Sequence, residues 1–521
     1  MFRNERNLYW RTCDLCGKRM ISMFAPDKPY TVYCNPCWWS DKWDAGVYVR
    51  DYDPNRNFFD QFKDLQLVMP YMNLSVGYAS LENCDYVNHA AFSKNCYLMF
   101  VADYCENVHY STQLAHDKDS MDCLDLGESE LCYEDIVCGK CFNVFFSEDC
   151  HGCNDVYFSK NLVGCNHCFG CVNLRNVKYH MFNEPHTKEE YERKLKEIRL
   201  DSYASIVDLR QKSREFWKKS PHKFMHGHHN TGVSGDYVYY SKNAHDCYRS
   251  RYVEDSRWCQ NLTLQSTKDS YDYTEWGNGA EQIYDSVAIG EGVNNIRFSS
   301  GVWDTCLDVE YSTWIISSSH IFGSVGLRKK QYHILNKRYS KEDYEKLRAQ
   351  IIQDMNEKPY VDSKGRVWKY GEFLPSDLSV FAYNESTANE YYPHTKDEIL
   401  ERGWQWYEAK PPEHKISIKT ENVPDSITDV QDSILTETLE CGECRRAFRI
   451  IKDELGLLRR FGLPIPRQCP ACRHRERFSR LNPPRLWDRQ CAKCGAPIRT
   501  SYAPDRPEIV YCEQCYLAEV A

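Results

Sequence analysis

Residues 93–153 read SKNCYLMFVADYCENVHYSTQLAHDKDSMDCLDLGESELCYEDIVCGKCFNVFFSEDCHGC. Within this stretch Cys96, Cys105, Cys123, Cys132, Cys141 and Cys150 are separated by multiples of nine, and Leu114 fills the skipped position. A helix would repeat its apolar residues near 3.6 instead. A small apolar residue at fixed spacing, set among polar and aromatic residues and punctuated by Ser, Asn, Asp and Gly, suits a stack of short parallel strands. Each coil of chain then places an inward side chain above the last. The pattern predicts a parallel β-solenoid over 73–183, with two short strands per eighteen or more residues.

A second copy is expected over 226–336, where Cys247, Cys259, Tyr271, Ile283 and Ile296 recur at roughly twelve. The two copies end alike, with YHMFNEPHTKEEYE from Tyr179 and YHILNKRYSKEDYE from Tyr332. Thr187 with Glu190, and Ser340 with Asp343, have capping-box spacing, so each solenoid should turn into a helix. That gives a helical linker over 184–225 and a helix and linker region over 337–440, with PHTKDE from Pro393 opening a further helix. Twelve thiols fall in the first copy and only Cys247, Cys259 and Cys306 in the second, so the stack does not need thiols as such. Pairs such as Cys138/Cys141 and Cys150/Cys153, and the run Cys165, Cys168, Cys171, allow an extra metal. On a strand, however, positions three apart point to opposite faces unless a bend intervenes, which favours inward thiol packing.

Both ends of the chain carry metal-ligand spacing. Cys13, Cys16, Cys34 and Cys37 form C-x2-C-x17-C-x2-C within 1–60, and Cys491, Cys494, Cys512 and Cys515 repeat it within 481–521. The two copies share A-P-D-x-P and V-Y-C at matching offsets. A two-residue gap lets both thiolates of a knuckle reach one tetrahedral zinc, and a closed shell of four thiolates makes the site structural rather than catalytic. A third set, Cys441, Cys444, Cys469 and Cys472, lies within 441–480. About three zinc ions per chain are therefore expected. From Cys441 to Phe478 the chain resembles the probable zinc-ribbon domains of treble-clef type. These have a CxxC, a hairpin, a Leu/Phe-rich helix and a tail that here reads P-R-Q-C-P-A-C-R. The resemblance implies metal and fold. Nearly full length, from LECGECRRAF through NPPRLWDRQCAKC to VYCEQCYLAEV, the chain also resembles uncharacterised bacterial proteins that join terminal zinc ribbons to Cys-rich repeats. The expected fold is thus mainly β: duplicated parallel β-solenoid modules, each followed by a helix, flanked by zinc ribbons at both ends.

Charge is unevenly spread. Residues 441–494 hold fourteen Lys and Arg against five acids, whereas 81–180 hold six against fifteen. If the residues after Cys472 are helical, Arg473, Arg477 and Arg480 line one face. Interleaved with Phe448, Phe461, Phe478 and Trp487, that face could contact RNA or DNA phosphates, or it could dock on the acidic solenoid of the same chain. The long solenoid face could equally receive a protein partner. Asp119, Asp122, Asp125 and Glu128 could form a carboxylate row of the kind seen in carbohydrate-active β-helices. His222, His226, His228 and His229 read as a solvated linker.

The chain has 521 residues, a formal charge of −9, 27 cysteines and a mean hydropathy of −0.67. With no run of about 18 apolar residues and no signal-like start, no membrane association and a cytoplasmic location are expected. Free thiols in such numbers suit metal binding over disulfides there. No phosphate loop, nucleophile elbow or H-E-x-x-H is present, so an enzyme is the less favoured reading.

Overall fold

The computed structural model describes residues 1–409 and 414–520. Both solenoids form, and their unit is three residues. In the first, every third residue points inward, the next pairs with the neighbouring rung, and the third turns the chain with a positive φ, as at Asn95, Leu98, Val101 and Tyr104 (49° to 58°). Four such sides make a rung. Phe100–Asp103, Thr112–Ala115, Leu124–Gly127 and Ile136–Gly139 pair in parallel at twelve-residue offsets, as do Glu130–Tyr133, Phe142–Phe145, Asn154–Tyr157 and Asn166–Phe169.

The rung is therefore twelve residues, not eighteen or more. Multiples of nine are multiples of three, so the spacing marks inward positions but steps three-quarters of the way round the coil: Cys96 Sγ reaches the Cys105 carbonyl at 3.7 Å. The same corner is the bend that lets thiols three apart pack inward, as expected. Cys138, Cys141, Cys150, Cys153, Cys165, Cys168 and Cys171 are all buried in the shaft, because a left-handed residue intervenes between each i and i+3. Left-handed backbone costs roughly 1–2 kcal/mol for an ordinary residue. Ladders between rungs offset it: Asn83 donates to Asn95, Asn95 to Asn107 and Asn107 to Asp119 at 2.7 to 3.0 Å, and Phe92, Tyr104 and His116 stack at 4.8 and 4.7 Å.

Inside, serines and cysteines do the same work. Ser111 Oγ donates to the His109 carbonyl at 2.8 Å and accepts from the Cys123 amide at 2.9 Å, while Cys123 Sγ donates to the Met121 carbonyl at 3.4 Å. Each interior hydroxyl or thiol thereby satisfies a backbone group that no strand reaches. The second solenoid makes one whole column from Ser286, Ser299, Ser312 and Ser324, each accepting from the amide of the column's next member. Its rungs vary: Gly235 pairs with Cys247 at twelve residues, Val253 with Thr267 at fourteen and Glu281 with Asn294 at thirteen. That variation misplaced Tyr271, which is 44% exposed; Tyr273 is the buried residue above Cys259.

The shared exits are caps. Phe182–Asn183 and Leu335–Asn336 are two-residue turns with both φ values positive, folding a short antiparallel strand back on the last rung. Asn183 accepts from the Val172 amide and donates to its carbonyl, both at 2.9 Å, and Asn336 does the same to Val325. One carboxamide thus replaces the missing next rung. The predicted helices follow at Lys188–Glu197 and Lys341–Glu357, capped by Thr187 and Ser340, and a third is capped by Thr395 and Glu398.

Candidate metal centres and the docked arginine face

Each terminal ribbon begins with an antiparallel hairpin, Tyr9–Thr12 with Arg19–Ser22 and Trp487–Gln490 with Pro497–Thr500. Gly17 and Gly495, both at φ 73°, follow the second cysteine of each set, where only glycine turns freely. All four thiols of each predicted set converge, their ligand atoms lying within 4.8 Å of one another. The Sγ–Sγ distances are 3.9 Å for Cys16–Cys34, 3.7 Å for Cys441–Cys472, 3.8 Å for Cys444–Cys469 and 3.8 Å for Cys494–Cys512. Amides point at the sulfurs: Cys34 N donates to Cys13 Sγ and Cys469 N to Cys441 Sγ, both at 3.2 Å. Against the burial that raises it, the Cys512 and Cys494 amides bring the Cys491 thiol down to about 6. Burial and its neighbouring thiols push Cys37 up to about 12, since four thiolates cannot share this space without a cation. The three sets can therefore each hold a metal ion. Among the described residues no such group forms in the solenoid shafts or at His222–His229.

The ribbons stand at the starts of the solenoids, not at two ends of a rod. Val32–Tyr33 adds a parallel strand to Tyr71–Met72, which leads into the first solenoid. Val510–Tyr511 adds one to His222–Lys223, which leads into the second. The hydrogen bonds match one for one: Tyr71 N to Thr31 O and Asn73 N to Tyr33 O, then His222 N to Ile509 O and Phe224 N to Tyr511 O, at 2.7 to 2.9 Å. The repeated V-Y-C is thus a clasp, used twice.

Arg473, Arg477 and Arg480 do share a face of the helix Pro470–Ser479 and its C-cap, and that face is turned into the chain. Arg473 Nη1 lies 2.9 Å from Asp122 Oδ2 and 3.0 Å from Glu454 Oε1. Arg477 Nη1 lies 2.8 Å from Asp122 Oδ1 and its Nη2 donates to the Tyr110 carbonyl at 3.0 Å. Arg480 Nε donates to Glu148 Oε1 at 2.8 Å, and Arg460 reaches Asp119 at 2.9 Å. Although burial opposes it, Lys160 and Arg480 hold the Glu148 carboxyl well below the usual carboxylate range. Phosphate contact through these arginines would require the ribbon to leave the solenoid. The acids around 122 likewise form no catalytic row, because a three-residue step turns a quarter of the coil. Asp119, Asp122, Asp125 and Glu128 face four directions and pair with Arg460, Arg473, Arg249 and Lys140 respectively.

The histidine stretch is not a solvated linker throughout. His226 Nδ1 lies 2.9 Å from Asp236 Oδ1 and Nε2 3.8 Å from Asp149 Oδ2, so it bridges the two solenoids. Burial opposes its charge, yet the two carboxylates outweigh it and raise its pKa. Asp236 lies ten residues on, but Asp149 is distant in sequence, and no local signal announces the bridge. Sequence reasoning also missed a cavity of about 820 Å³ between the two solenoids, the segment 384–393 and the basic ribbon. Among the described residues no helix is long and apolar enough to cross a membrane.

No protein-family model matches the chain, and no curated protein matches it. A solved structure described as a "putative acetyltransferase" from Desulfovibrio desulfuricans G20 aligns over 64% of this chain and 94% of its own at 11% identity, with a TM-score of 0.10. A likeness of that size carries no argument about this chain.

Proposed function

We propose that the protein is a zinc-clasped scaffold whose three metal ions are structural and whose arginine face is an internal dock. The sulfur spacing carries the reading: a tetrahedron with Zn–S bonds of about 2.3 Å has edges of about 3.8 Å, and each of the three sets contains Sγ–Sγ distances of 3.7 to 3.9 Å. Four sulfurs per site leave no open position for substrate, so the ions fix the clasps and the ribbon in place. Protein partners would meet the solenoid flank that stays free, where Phe92 and Tyr104 stack in the open. Metal analysis of protein purified without chelators should find about three zinc per chain. One or none would overturn the proposal.

A further inference from the structure

Protein interiors are packed to crystal density, and voids much larger than a water molecule are few. The cavity of about 820 Å³ is no packing defect of that kind; it has the size and lining of a small-molecule site. Its walls come from five distant parts of the chain, including Phe100, Tyr237, Gln260, Asn389, His474 and Phe478. Its rings include Tyr391 and Phe478, edge to face at 5.0 Å. The carboxamides of Gln260, on the second solenoid, and Asn389, on the connecting segment, also line it. Behind Tyr391, Arg249 Nε and Asn261 Oδ1 are buried with no partner.

The charges around the cavity are already matched. Arg6 lies 3.7 Å from Glu390, which also receives His474 at 3.2 Å; Arg249 lies 3.1 Å from Asp125, Arg475 3.4 Å from Glu443, and Asp236 is held by His226. A charged ligand entering here would lose its hydration and gain no free counter-charge.

We infer that this cavity binds a neutral, planar heteroaromatic molecule of nucleoside size, stacked on Phe478 and read along its edge by Gln260 and Asn389. Rings stack on any flat π-face, and Asn and Gln match a donor–acceptor edge with two hydrogen bonds. This goes beyond the scaffold reading, and zinc content and ligand binding are separate measurements.

The test is calorimetry of the zinc-loaded full chain with adenosine, guanosine, uridine and lumichrome, and with AMP as the charged control. At least one neutral probe should bind with a Kd below about 100 μM. AMP should bind more weakly than adenosine. Asn389→Ala and Gln260→Leu, both outside the ribbon, should each weaken that probe about tenfold, while circular dichroism and zinc content stay unchanged. No binding of any neutral probe at about 1 mM would overturn the inference, as would wild-type affinity in both variants or tighter binding of AMP than of adenosine.

Discussion

Replacing Asp122 by Asn tests the internal dock most directly, because it keeps the side chain's shape and removes only its charge. Asp122 is fully buried and takes one arginine on each oxygen, Arg477 at 2.8 Å and Arg473 at 2.9 Å. Arg473 Nε and Nη2 and Arg477 Nε are buried without a partner, so the two guanidinium groups depend on this carboxylate, on Glu454 and on the Tyr110 carbonyl. Breaking a buried pair from one side costs about 3–5 kcal/mol, since the remaining charge is left dry. The ribbon can limit that loss by undocking, at the expense of the apolar contacts around Tyr110, Tyr133 and Leu458. Urea unfolding should therefore show an early transition of the basic ribbon lowered by about 3 kcal/mol, and small-angle scattering should show a larger radius. The quadruple variant Asp122→Leu, Glu454→Gln, Arg473→Met, Arg477→Met should recover most of the loss, because no unpaired charge is then left buried. A loss below about 1 kcal/mol with unchanged scattering would refute the claim that this ion triad holds the ribbon.

Cys491→Ser should free the C-terminal clasp and raise hydrogen exchange at His222–Phe224, while the rungs around Ile289–Ile315 stay protected; uniform exchange through the second solenoid would count against a local clasp. Asn336→Ala removes two hydrogen bonds from the last rung and should cost about 1–3 kcal/mol by denaturant titration, and an unchanged midpoint would show that the turn alone caps the stack. Acid should weaken the assembly between pH 6.5 and 4: burial lowers both His109 and His474 to about 4, so the unfolded chain binds more protons in that window and stability falls as pH falls. Each contributes about 2 kcal/mol between pH 7 and 5. His226, with its raised pKa, acts oppositely and loses its contribution as pH rises through that value. His474→Gln should flatten the acid limb of the pH profile.

The three cysteine sets were legible because a knuckle is local: two cysteines three apart, followed at Gly17 and Gly495 by a glycine, with a partner pair downstream. The capping boxes at Thr187 and Thr395 were legible for the same reason. Rung length was not, because inward residues in a three-residue unit satisfy every multiple of three, and Cys, Ser, Leu, Val and Ala share the shaft without marking which of its four columns they occupy. The carboxylates from Asp119 to Glu128 looked like a row only on the assumption of an extended strand. The fate of the arginines was undecided in sequence, since a basic face and an acidic face far apart in the chain say nothing about whether they meet. Matching His226 to Asp149 needed the same missing information.

The positions of the clasps explain why a ribbon sits at each end of this chain. A stacked coil is weakest at its first and last rungs, where strand edges lack partners. Both last rungs are closed by the asparagine turns, and both lead-in segments by a ribbon strand. For the first solenoid that ribbon precedes it directly; for the second it comes from the opposite end of the chain, after the basic ribbon has crossed back over the first solenoid. The N-terminal region then reaches across to the second solenoid's exit: Arg50 N donates to the Leu335 carbonyl at 3.0 Å, Phe58 packs against Tyr311 and Phe322, and Arg328 stacks over Trp38 at 4.8 Å. Each solenoid is thus held by residues from both ends of the sequence. Loss of the metal at Cys13–Cys37 should therefore loosen the start of the first solenoid and the exit of the second together, although these are separated by more than two hundred residues of chain. Cys16→Ser, followed by hydrogen exchange, separates this from a local clasp. Increased exchange at Tyr71–Asn73 with no change at Leu335–Lys337 would show that the crossing contacts carry no coupling.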